Sequence, residues 1–569
     1  MRQAETKCEG IVSAWVYFTP LPPTGVLGRA MTKNPMVAAP APVAMDLSVL
    51  GDAHPHLVLE DLVWPTAYDS YNALTRALID GLVKTTRALN PGDDAAAVTR
   101  AKTYDIITDL AFISRLALDI ANARRAAQTI NFDPKASPML AFLDAGGDPS
   151  HSPLLRIWHH PVDLRLRTRL RKGLRRARAH QRAQLAGANR IDVHNRNNLV
   201  NTLLSADTRP AIDWPVTNLD WDHEHSVPSS LTESVAEIAR TYTRITNQFI
   251  DDVALRETVS ALGTNLTARH LAKSWIDFKT FEQHLRARPL GEMLVSGTPK
   301  HLGRIAGWFY RREGRPVLRC AHGGERVFFA DYEWGLAEFP DCDIYYAHSG
   351  GERDALAARL AAGGTALVES APNIEFRALG SPHHQKIFER SRSNRTREKT
   401  GTVVYVAGGY LGEQFGDFPN RKPPDILYLD WQINLIQMLK GLGYRVAVKL
   451  HPAGIAREAR YLAHYADAII EGQFDPTATR ADAFIFDFAG TAFIDTLASS
   501  EPMLFADLGI RPFDENNRAN LIERCPIVSA TRDARGRFRI DRDRLGDRLA
   551  DTIVSDTCPP GFHDRYFGS

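Results

Sequence analysis

Residues 446–452 read Val-Ala-Val-Lys-Leu-His-Pro, and residues 483–491 read Ala-Phe-Ile-Phe-Asp-Phe-Ala-Gly-Thr. Each stretch is a short apolar run followed by polar residues or a turn, which is typical of a buried strand in a parallel sheet. Residues 316–325, Pro-Val-Leu-Arg-Cys-Ala-His-Gly-Gly-Glu, have the same form earlier in the chain. Because ligands of open parallel sheets bind at the carboxyl ends of the strands, these stretches predict two ligand-binding sheet edges.

The composition indicates an ordinary globular chain. Its 569 residues are 44% hydrophobic and 24% charged, and the net charge is +2. That length fits several domains, and so small a net charge does not favour a nucleic-acid partner. We therefore expect no nucleic acid among its partners.

The cysteines and the first residues indicate a cytoplasmic location. The five cysteines include no Cys-x-x-Cys pair and have no histidine at zinc-finger spacing, which favours reduced thiols over a disulfide frame or a structural metal. Glu5 and Glu9 precede the apolar residues 11–18, and no apolar run reaches the roughly 20 residues of a membrane-spanning helix. A secretory signal is therefore not expected.

Four regions are predicted along the chain. Residues 1–60 are rich in proline and small residues and indicate a poorly ordered extension. Residues 61–289 show mainly the three-four apolar spacing of helices. Residues 290–389 and 401–569 alternate strands with helices, and a basic, serine-containing connector at 390–400 separates them.

The predicted fold class is therefore α/β, with two Rossmann-like domains that face a cleft and a mainly helical region before them. The domain at 290–389 is left open to elements from earlier in the chain. The predicted strands of the two domains include 293–296, 317–321, 344–347, 366–368, 402–407, 484–487 and 503–505.

An arginine-rich helix is predicted within the helical region. Half of residues 165–182 are arginine or lysine, while leucines recur every four residues along one face. Such a helix can lie on anionic lipid or hold a polyanionic acceptor, with Arg171, Arg175 and Arg178 as the binding side chains. The alternative is a solvated helix anchored by its leucines.

Gly490 and Thr491 end a strand and open a predicted helix. The first backbone N–H groups of a helix are unpaired and lie at the positive end of its dipole, which makes a phosphate site. Asp495 lies one turn further on the same face, where a carboxylate can accept from ribose hydroxyls. The structural alternatives are a helix cap for Thr491 and a solvent-facing side chain for Asp495.

Lys449 and His451 are two residues apart at a strand end, so both side chains are expected on one side of the sheet. There the lysine would act as a cation and the imidazole as a hydrogen-bond donor to one ligand. The alternative for His451 is an ordinary loop histidine.

His322 and Glu325 follow the strand at 317–321 and flank two glycines. The glycines allow close backbone approach, and the histidine or the glutamate can accept a proton near neutral pH. No third ligand is in view, so no metal site is predicted. The histidine pairs at 159–160 and 383–384 are interpreted as surface or loop residues.

These motifs, in this order, resemble those of the GT-B glycosyltransferase superfamily over residues 290–507. The similarity is to bacterial surface-polysaccharide transferases: CDP-glycerol glycerophosphotransferases, polysialyltransferases and capsule Kdo transferases. Lys-Leu-His-Pro at 449–452 resembles their His-Pro motif, whose histidine contacts donor phosphates, and residues 487–495 resemble their Ser/Thr loop and helix. Ala-His-Gly-Gly at 321–324 resembles the histidine-glycine turn of their N-terminal domain, and Gly-Ser-Pro at 380–382 resembles the Gly-x-Pro that closes it.

Two positions depart from that pattern. Phe-Ala stands at 488–489 where many relatives carry serines, and Asp495 stands where they carry glutamate. The first departure leaves the identity of the donor open, and the second leaves the ribose contact open.

The resemblance implies a transferase that builds a bacterial cell-surface polysaccharide from a nucleotide-activated sugar or polyol. The acceptor would be a polysaccharide or glycolipid, reached in the cytoplasm or at the inner face of the membrane through a peripheral contact. The domain at 401–569 would bind the donor nucleotide and the domain at 290–389 the acceptor. No cofactor and no metal are implied.

In this interpretation Lys449, His451 and Thr491 stabilise the leaving phosphate, and His322 or Glu325 deprotonates the acceptor hydroxyl. Two alternatives remain. A nucleotide-sugar 2-epimerase would place a carboxylate such as Asp487 or Glu325 at the sugar ring. A non-catalytic polysaccharide-binding or assembly protein would act through the arginine-rich helix.

Overall fold

The computed structural model describes residues 15–16, 43–50, 59–89, 94–153, 179, 181–214, 227–286, 289–297, 301–330, 334–362, 373–393, 399–410, 423–451, 461–554, 559 and 561–568. The strands in chain order are β1 Trp15–Val16, β2 Val43–Ala44, β3 Ile130–Asn131, β4 Ile191–Val193, β5 Ala211–Asp213, β6 Glu292–Ser296, β7 Val317–Cys320, β8 Ile344–Ala347, β9 Glu375–Ala378, β10 Thr402–Val406, β11 Arg445–Lys449, β12 Ala468–Ile470, β13 Ala483–Phe486, β14 Met503–Asp507, β15 Ile527–Ser529, β16 Thr531–Arg532 and β17 Phe538–Arg539.

The α-helices are α1 Tyr68–Arg87, α2 Asp94–Arg125, α3 Pro138–Asp144, α4 Asn198–Ala206, α5 Ser229–Phe249, α6 Val253–Arg286, α7 His301–Arg312, α8 Gly335–Glu338, α9 Gly350–Ala362, α10 Pro382–Ser393, α11 Asp425–Gly441, α12 Thr491–Ala498, α13 Glu515–Arg524, α14 Arg542–Val554 and α15 Phe562–Tyr566. Among the described residues, no helix is both long and apolar enough to cross a bilayer.

The first sheet, which defines the first sheet domain, has six parallel strands in the order β5-β4-β6-β7-β8-β9. Its central strands β6 and β7 are almost wholly buried, as expected for a sheet with helices on its faces. The strands β4 and β5 bring residues 191–213 into this domain, although the sequence indicates mainly helix there.

The second sheet, which defines the second sheet domain, has the order β1-β12-β11-β10-β13-β14-β15. All of its strands run parallel except the edge strand β1, which pairs antiparallel with β12. The strands β10, β11 and β13 bury their apolar runs on both faces, and the polar residues of the motifs follow their carboxyl ends.

The helical region is a layer of the four long helices α1, α2, α5 and α6, which pack on one another. Leu78 of α1, Leu110 of α2 and Leu262 of α6 are fully buried in it. The layer also contacts the first sheet domain, where Arg304 of α7 donates 2.9 Å to Asp105 of α2. The ring centroids of Tyr68 and Phe538 are 5.9 Å apart, so the layer contacts the second sheet domain as well.

Part of the extension expected to be poorly ordered lies in the core. The strand β2 pairs in parallel with β3, and Leu47 and Leu50 of the short 3₁₀ helix at Leu47–Leu50 are buried. The backbone of Leu47 accepts from the hydroxyl of Tyr461 in the second sheet domain at 3.3 Å. Apolar burial against distant segments therefore orders residues 43–50, a contact that local composition does not reveal.

Two helices cross between the sheet domains. The helix α10 follows β9 and precedes β10, so the connector predicted at 390–400 is helical as far as Ser393. The helix α15 follows the second sheet yet packs on the first domain, where Phe562 stacks on Phe328 with ring centroids 6.1 Å apart. The two crossing helices touch, since the rings of Phe388 and His563 stack at 4.0 Å.

Several predictions fall outside the described residues. These are the strand at 366–368, the proline that ends the 446–452 stretch, the histidine pair at 159–160, and the three arginines of the basic helix, Arg171, Arg175 and Arg178. The described cysteines Cys320, Cys342 and Cys525 are buried free thiols.

Candidate functional site

A cleft of about 670 Å³ lies at the carboxyl ends of β10, β11, β12 and β13, and we call it the sheet-edge cleft. Its lining includes the five residues predicted to hold a donor nucleotide, which are Lys449, His451, Gly490, Thr491 and Asp495. Such a position is where open parallel sheets bind ligands. Residues up to 46 positions apart in sequence are thus collected around one concave surface, as predicted; that they bind a nucleotide stays a prediction.

A larger cavity of about 780 Å³ lies between α9, α13 and α15. Helix side chains and loop residues line it, and no strand of either sheet ends in it apart from Ala378 at the edge of the first sheet. The sheet-edge cleft is therefore the better candidate for a nucleotide site.

Lys449 is the last residue of β11, and its side chain is largely buried, with 4% of the residue exposed. Its Nζ donates to the backbone oxygen of Leu450 at 2.6 Å. Burial lowers the pKa of Lys449, while the nearby Glu471 carboxylate raises it. His451 follows outside the strand and is exposed to the cleft. Both residues therefore line the sheet-edge cleft, although the strand on which the two-residue spacing was based ends at Lys449.

Gly490 is extended, with φ −127° and ψ −164°, and serves as the N-cap of α12. It has no side chain to accept from the first-turn N–H groups, and Thr491 at the first helical position is exposed. The first backbone hydrogen bond of the helix runs from Ile494 to the Gly490 oxygen at 3.1 Å. The earlier N–H groups of α12 are thus available to an anion in the cleft.

Asp487 supports one wall of the cleft rather than facing a ligand. It is 2% exposed and accepts from Tyr405, from Tyr428 at 2.8 Å and from the Trp431 indole at 2.8 Å. The Tyr428 hydroxyl in turn accepts from the backbone N–H of Gly408 at 2.9 Å, and Gly408 lines the cleft. Burial raises the pKa of Asp487, and the three donors lower it.

Asp495 has partners that the sequence did not indicate. His383 and His384, at the start of α10, direct their Nε2 atoms at Asp495 Oδ1, at 2.9 Å and 3.4 Å. Burial raises the pKa of Asp495, but the two histidines outweigh it and hold that pKa below its usual value. His384 is 5% exposed, so its interpretation as a surface or loop residue is wrong. The ribose contact of Asp495 stays a prediction.

His322 is exposed after β7, beside Gly297, whose φ is +63°. A β-carbon at Gly297 would lie 2.8 Å from the Nδ1 of His322, so the absence of a side chain there makes room for the imidazole. Glu325 is half-buried, and its carboxylate folds back over Gly323 and lies 3.7 Å from the Arg326 guanidinium. Neither residue lines the sheet-edge cleft among the described side chains, and their role as proton acceptor stays a prediction.

The turn that carries these two residues nevertheless packs against the cleft helix. A β-carbon on Gly324 would lie 3.5 Å from the Ile494 side chain of α12 and 3.7 Å from the Nδ1 of His348. The carboxyl edges of the two sheets therefore meet next to Thr491 and Asp495.

His348 is a residue that the sequence reading missed. It follows β8 directly, and Glu352 Oε2 accepts from its backbone N–H at 2.7 Å and lies 3.1 Å from its Nδ1. Its ring centroid is 5.7 Å from that of His384. A histidine at the carboxyl end of an apolar strand, four residues before a glutamate, is the signal that would have found it.

No family model matches the chain, and no curated protein matches it. Among solved structures it is similar to the crystal structure of MurG from Acinetobacter baumannii, with 12% identity and a TM-score of 0.29. That alignment covers 67% of this chain and 87% of the MurG chain.

The topology itself establishes the fold class. Two parallel α/β domains meet at the carboxyl edges of their sheets, a helical region precedes them, and α10 and α15 cross between them. This is a GT-B-like arrangement of two Rossmann-like domains, as the sequence predicts.

Proposed function

We propose that this chain is a glycosyltransferase or glycerophosphotransferase that uses a nucleotide-activated donor to extend a bacterial cell-surface polysaccharide. The nucleotide-activated sugar or polyol binds in the sheet-edge cleft, and a polysaccharide or glycolipid acceptor approaches from the first sheet domain. The reaction takes place in the cytoplasm, or at the inner face of the membrane through a peripheral contact.

The observation that carries this proposal is the composition of the cleft. A lysine, an imidazole and the uncapped start of an eight-residue helix line one surface at the carboxyl edge of a parallel sheet. These are donors and positive partial charges suited to a diphosphate. The opposing sheet edge is in contact beside them, so that a second substrate can be brought to the same place.

The proposed reaction is a substitution in which the acceptor oxygen replaces the leaving nucleotide. An acceptor hydroxyl oxygen forms a bond to the anomeric carbon, or to the phosphorus of a glycerol phosphate donor. The bond from that atom to the leaving nucleotide oxygen breaks, and the leaving group takes the electron pair. Lys449, His451 and the N-terminus of α12 stabilise its charge, and His322 or Glu325 accepts the hydroxyl proton.

A thermal-shift panel tests the donor site. CMP, CDP, UDP, GDP and their sugar and glycerol conjugates are added to the wild type, to His451→Ala and to His464→Ala, an exposed histidine of the same domain outside the cleft. A ligand that binds only the folded state raises the melting temperature by mass action. We expect one nucleotide class to shift the wild type and His464→Ala, and to shift His451→Ala much less.

The same panel separates the alternatives. If no nucleotide shifts the wild type, the donor proposal is wrong and a polysaccharide-binding protein becomes the better interpretation. If a nucleotide sugar binds and is converted to its 2-epimer without any acceptor, the chain is an epimerase. The buried, triply hydrogen-bonded Asp487 does not favour that outcome, because its carboxylate is occupied.

A further inference from the structure

Three side chains from two separate helices converge beside the sheet-edge cleft. His383 and His384 lie in the first turn of α10, and Asp495 lies in the second turn of α12. One ligand atom from each lies within 4.8 Å of the other two. This set is the one cluster of three or more histidine, cysteine or acidic side chains, among the described residues, that has metal-ligand spacing.

Two of the three distances between the ligand atoms are close to those around one small cation. The Nε2 atoms of His383 and His384 lie 2.9 Å and 3.4 Å from Asp495 Oδ1. Zinc bonds of about 2.0–2.1 Å in a tetrahedron place neighbouring ligand atoms roughly 3.3–3.4 Å apart. Only small side-chain adjustments are therefore needed to admit a cation between the three atoms.

Packing holds the buried His384 ring with its Nε2 directed at Asp495 Oδ1. The His384 ring contacts Phe567 and His348, with ring centroids 4.9 Å and 5.7 Å away, and its Nδ1 is enclosed with no hydrogen-bond partner among the described residues. The orientation of the ring is thus set by neighbouring rings and by its Nε2 contact. A ligand atom that is oriented before binding is what a metal site requires.

We propose that His383, His384 and Asp495 form a binding site for one divalent transition-metal cation of the zinc class. Imidazole nitrogen and carboxylate oxygen are the donors that this class prefers. Three protein ligands leave a fourth position open, and one of the three, Asp495, lies in the lining of the cleft.

A cation in this site also bears on the proposed function, and this part of the inference rests on that function. A cation at the edge of the cleft would offer its open position to a phosphate oxygen of the leaving nucleotide. It would also join α10, which links the domains, to α12, which lines the donor site. No local pattern in the sequence indicates this site, because His383 and Asp495 are 112 residues apart.

A cobalt titration of the EDTA-treated full-length chain, without nucleotide, tests the site. Cobalt replaces zinc and reports tetrahedral coordination by its visible absorption, and zinc is then measured by competition. We expect one cobalt per chain, and an apparent Kd raised at least tenfold in His383→Ala and in Asp495→Asn. These variants spare the buried His384, and their melting curves verify that they fold.

The matched control is His151→Ala, which removes an exposed histidine that has one aspartate neighbour, Asp148, at 3.1 Å. It should bind cobalt as the wild type does. The metal proposal is overturned if the wild type binds no cobalt, or if His383→Ala and Asp495→Asn bind it as tightly as the wild type. Because nucleotide is absent, neither result depends on the thermal-shift panel, and failure of that panel leaves the metal titration unaffected.

Discussion

Gly324 packs against Ile494, so that a β-carbon on the glycine would lie 3.5 Å from the isoleucine side chain. This contact joins the turn after β7 to the helix that begins at Thr491. Gly324 has a φ of +88°, in the left-handed region where other residues are strained.

Gly324→Ala therefore tests the meeting of the two sheet edges. We expect a loss of about 1–2 kcal/mol in the free energy of unfolding, because alanine is strained at positive φ. Nucleotide-induced shifts should shrink as well, because a strained turn that moves also moves its contact with α12. Urea unfolding measures the first effect and the thermal-shift panel the second. An unchanged stability would show that the turn relaxes without strain.

Lys449→Met tests the role of the buried lysine. Methionine keeps most of the side-chain volume but removes the charge. We therefore expect the affinity of the chain for a nucleoside diphosphate to fall about tenfold to a hundredfold. The control is Lys440→Met in the same domain, where an exposed Lys440–Asp467 pair at 2.8 Å is removed. Equal affinities for both variants, measured by calorimetry, would exclude Lys449 from the phosphate site.

Gly408→Ala tests the wall of the cleft. A β-carbon there would lie 2.4 Å from the Tyr428 hydroxyl, so the variant should lose about 1–3 kcal/mol of stability and bind nucleotide more weakly. Gly441→Ala is the control, since its β-carbon would meet only the end of the flexible Arg542 side chain at 3.5 Å. A wild-type melting curve for Gly408→Ala would contradict this account of the wall.

Asp487→Ala distinguishes a structural role of this carboxylate from a direct role in the reaction. Removal of the carboxylate leaves two buried hydroxyls and an indole N–H without this hydrogen-bond acceptor. We therefore expect the free energy of unfolding to fall by at least about 3 kcal/mol. Asp482→Ala, which removes a half-buried acceptor of backbone N–H groups, should cost less. Full stability of Asp487→Ala together with lost turnover would instead indicate a direct part in the reaction.

Asp119 predicts a dependence of stability on pH. Burial raises the pKa of this carboxyl to about 6, while hydrogen bonds from Thr66 and Tyr71 oppose the rise. A pKa that is higher in the folded state favours folding while the group is protonated. The contribution of Asp119 is therefore fully present below about pH 4 and is lost as the pH rises through 6.

Asp119→Asn should accordingly be more stable than the wild type at pH 8, by up to about 3 kcal/mol, and should lose most of that advantage at pH 4.5. Melting temperatures of both proteins across this range measure the difference. A difference that does not vary with pH would show that Asp119 titrates near its ordinary value.

The sequence predicts strands and helices well where apolar runs are long and bounded by turn residues. The strand expected at 317–321 is observed at Val317–Cys320, and the helix expected at 492–498 is observed at Thr491–Ala498. The strands β4 and β5 were missed because three residues are too few to show a period. The pairing of His383 with Asp495 was missed because no local pattern encodes a contact between separate helices.

The two helices that cross between the sheet domains touch through Phe388 and His563. The two places where the chain crosses between the sheet domains therefore lie side by side, while noncovalent contacts join the domains elsewhere, at Gly324–Ile494 and through the helical layer. Opening of the cleft should then break those noncovalent contacts and move the two aromatic rings least. A nitroxide pair with one label on each sheet domain would show a distance change that grows with distance from Phe388.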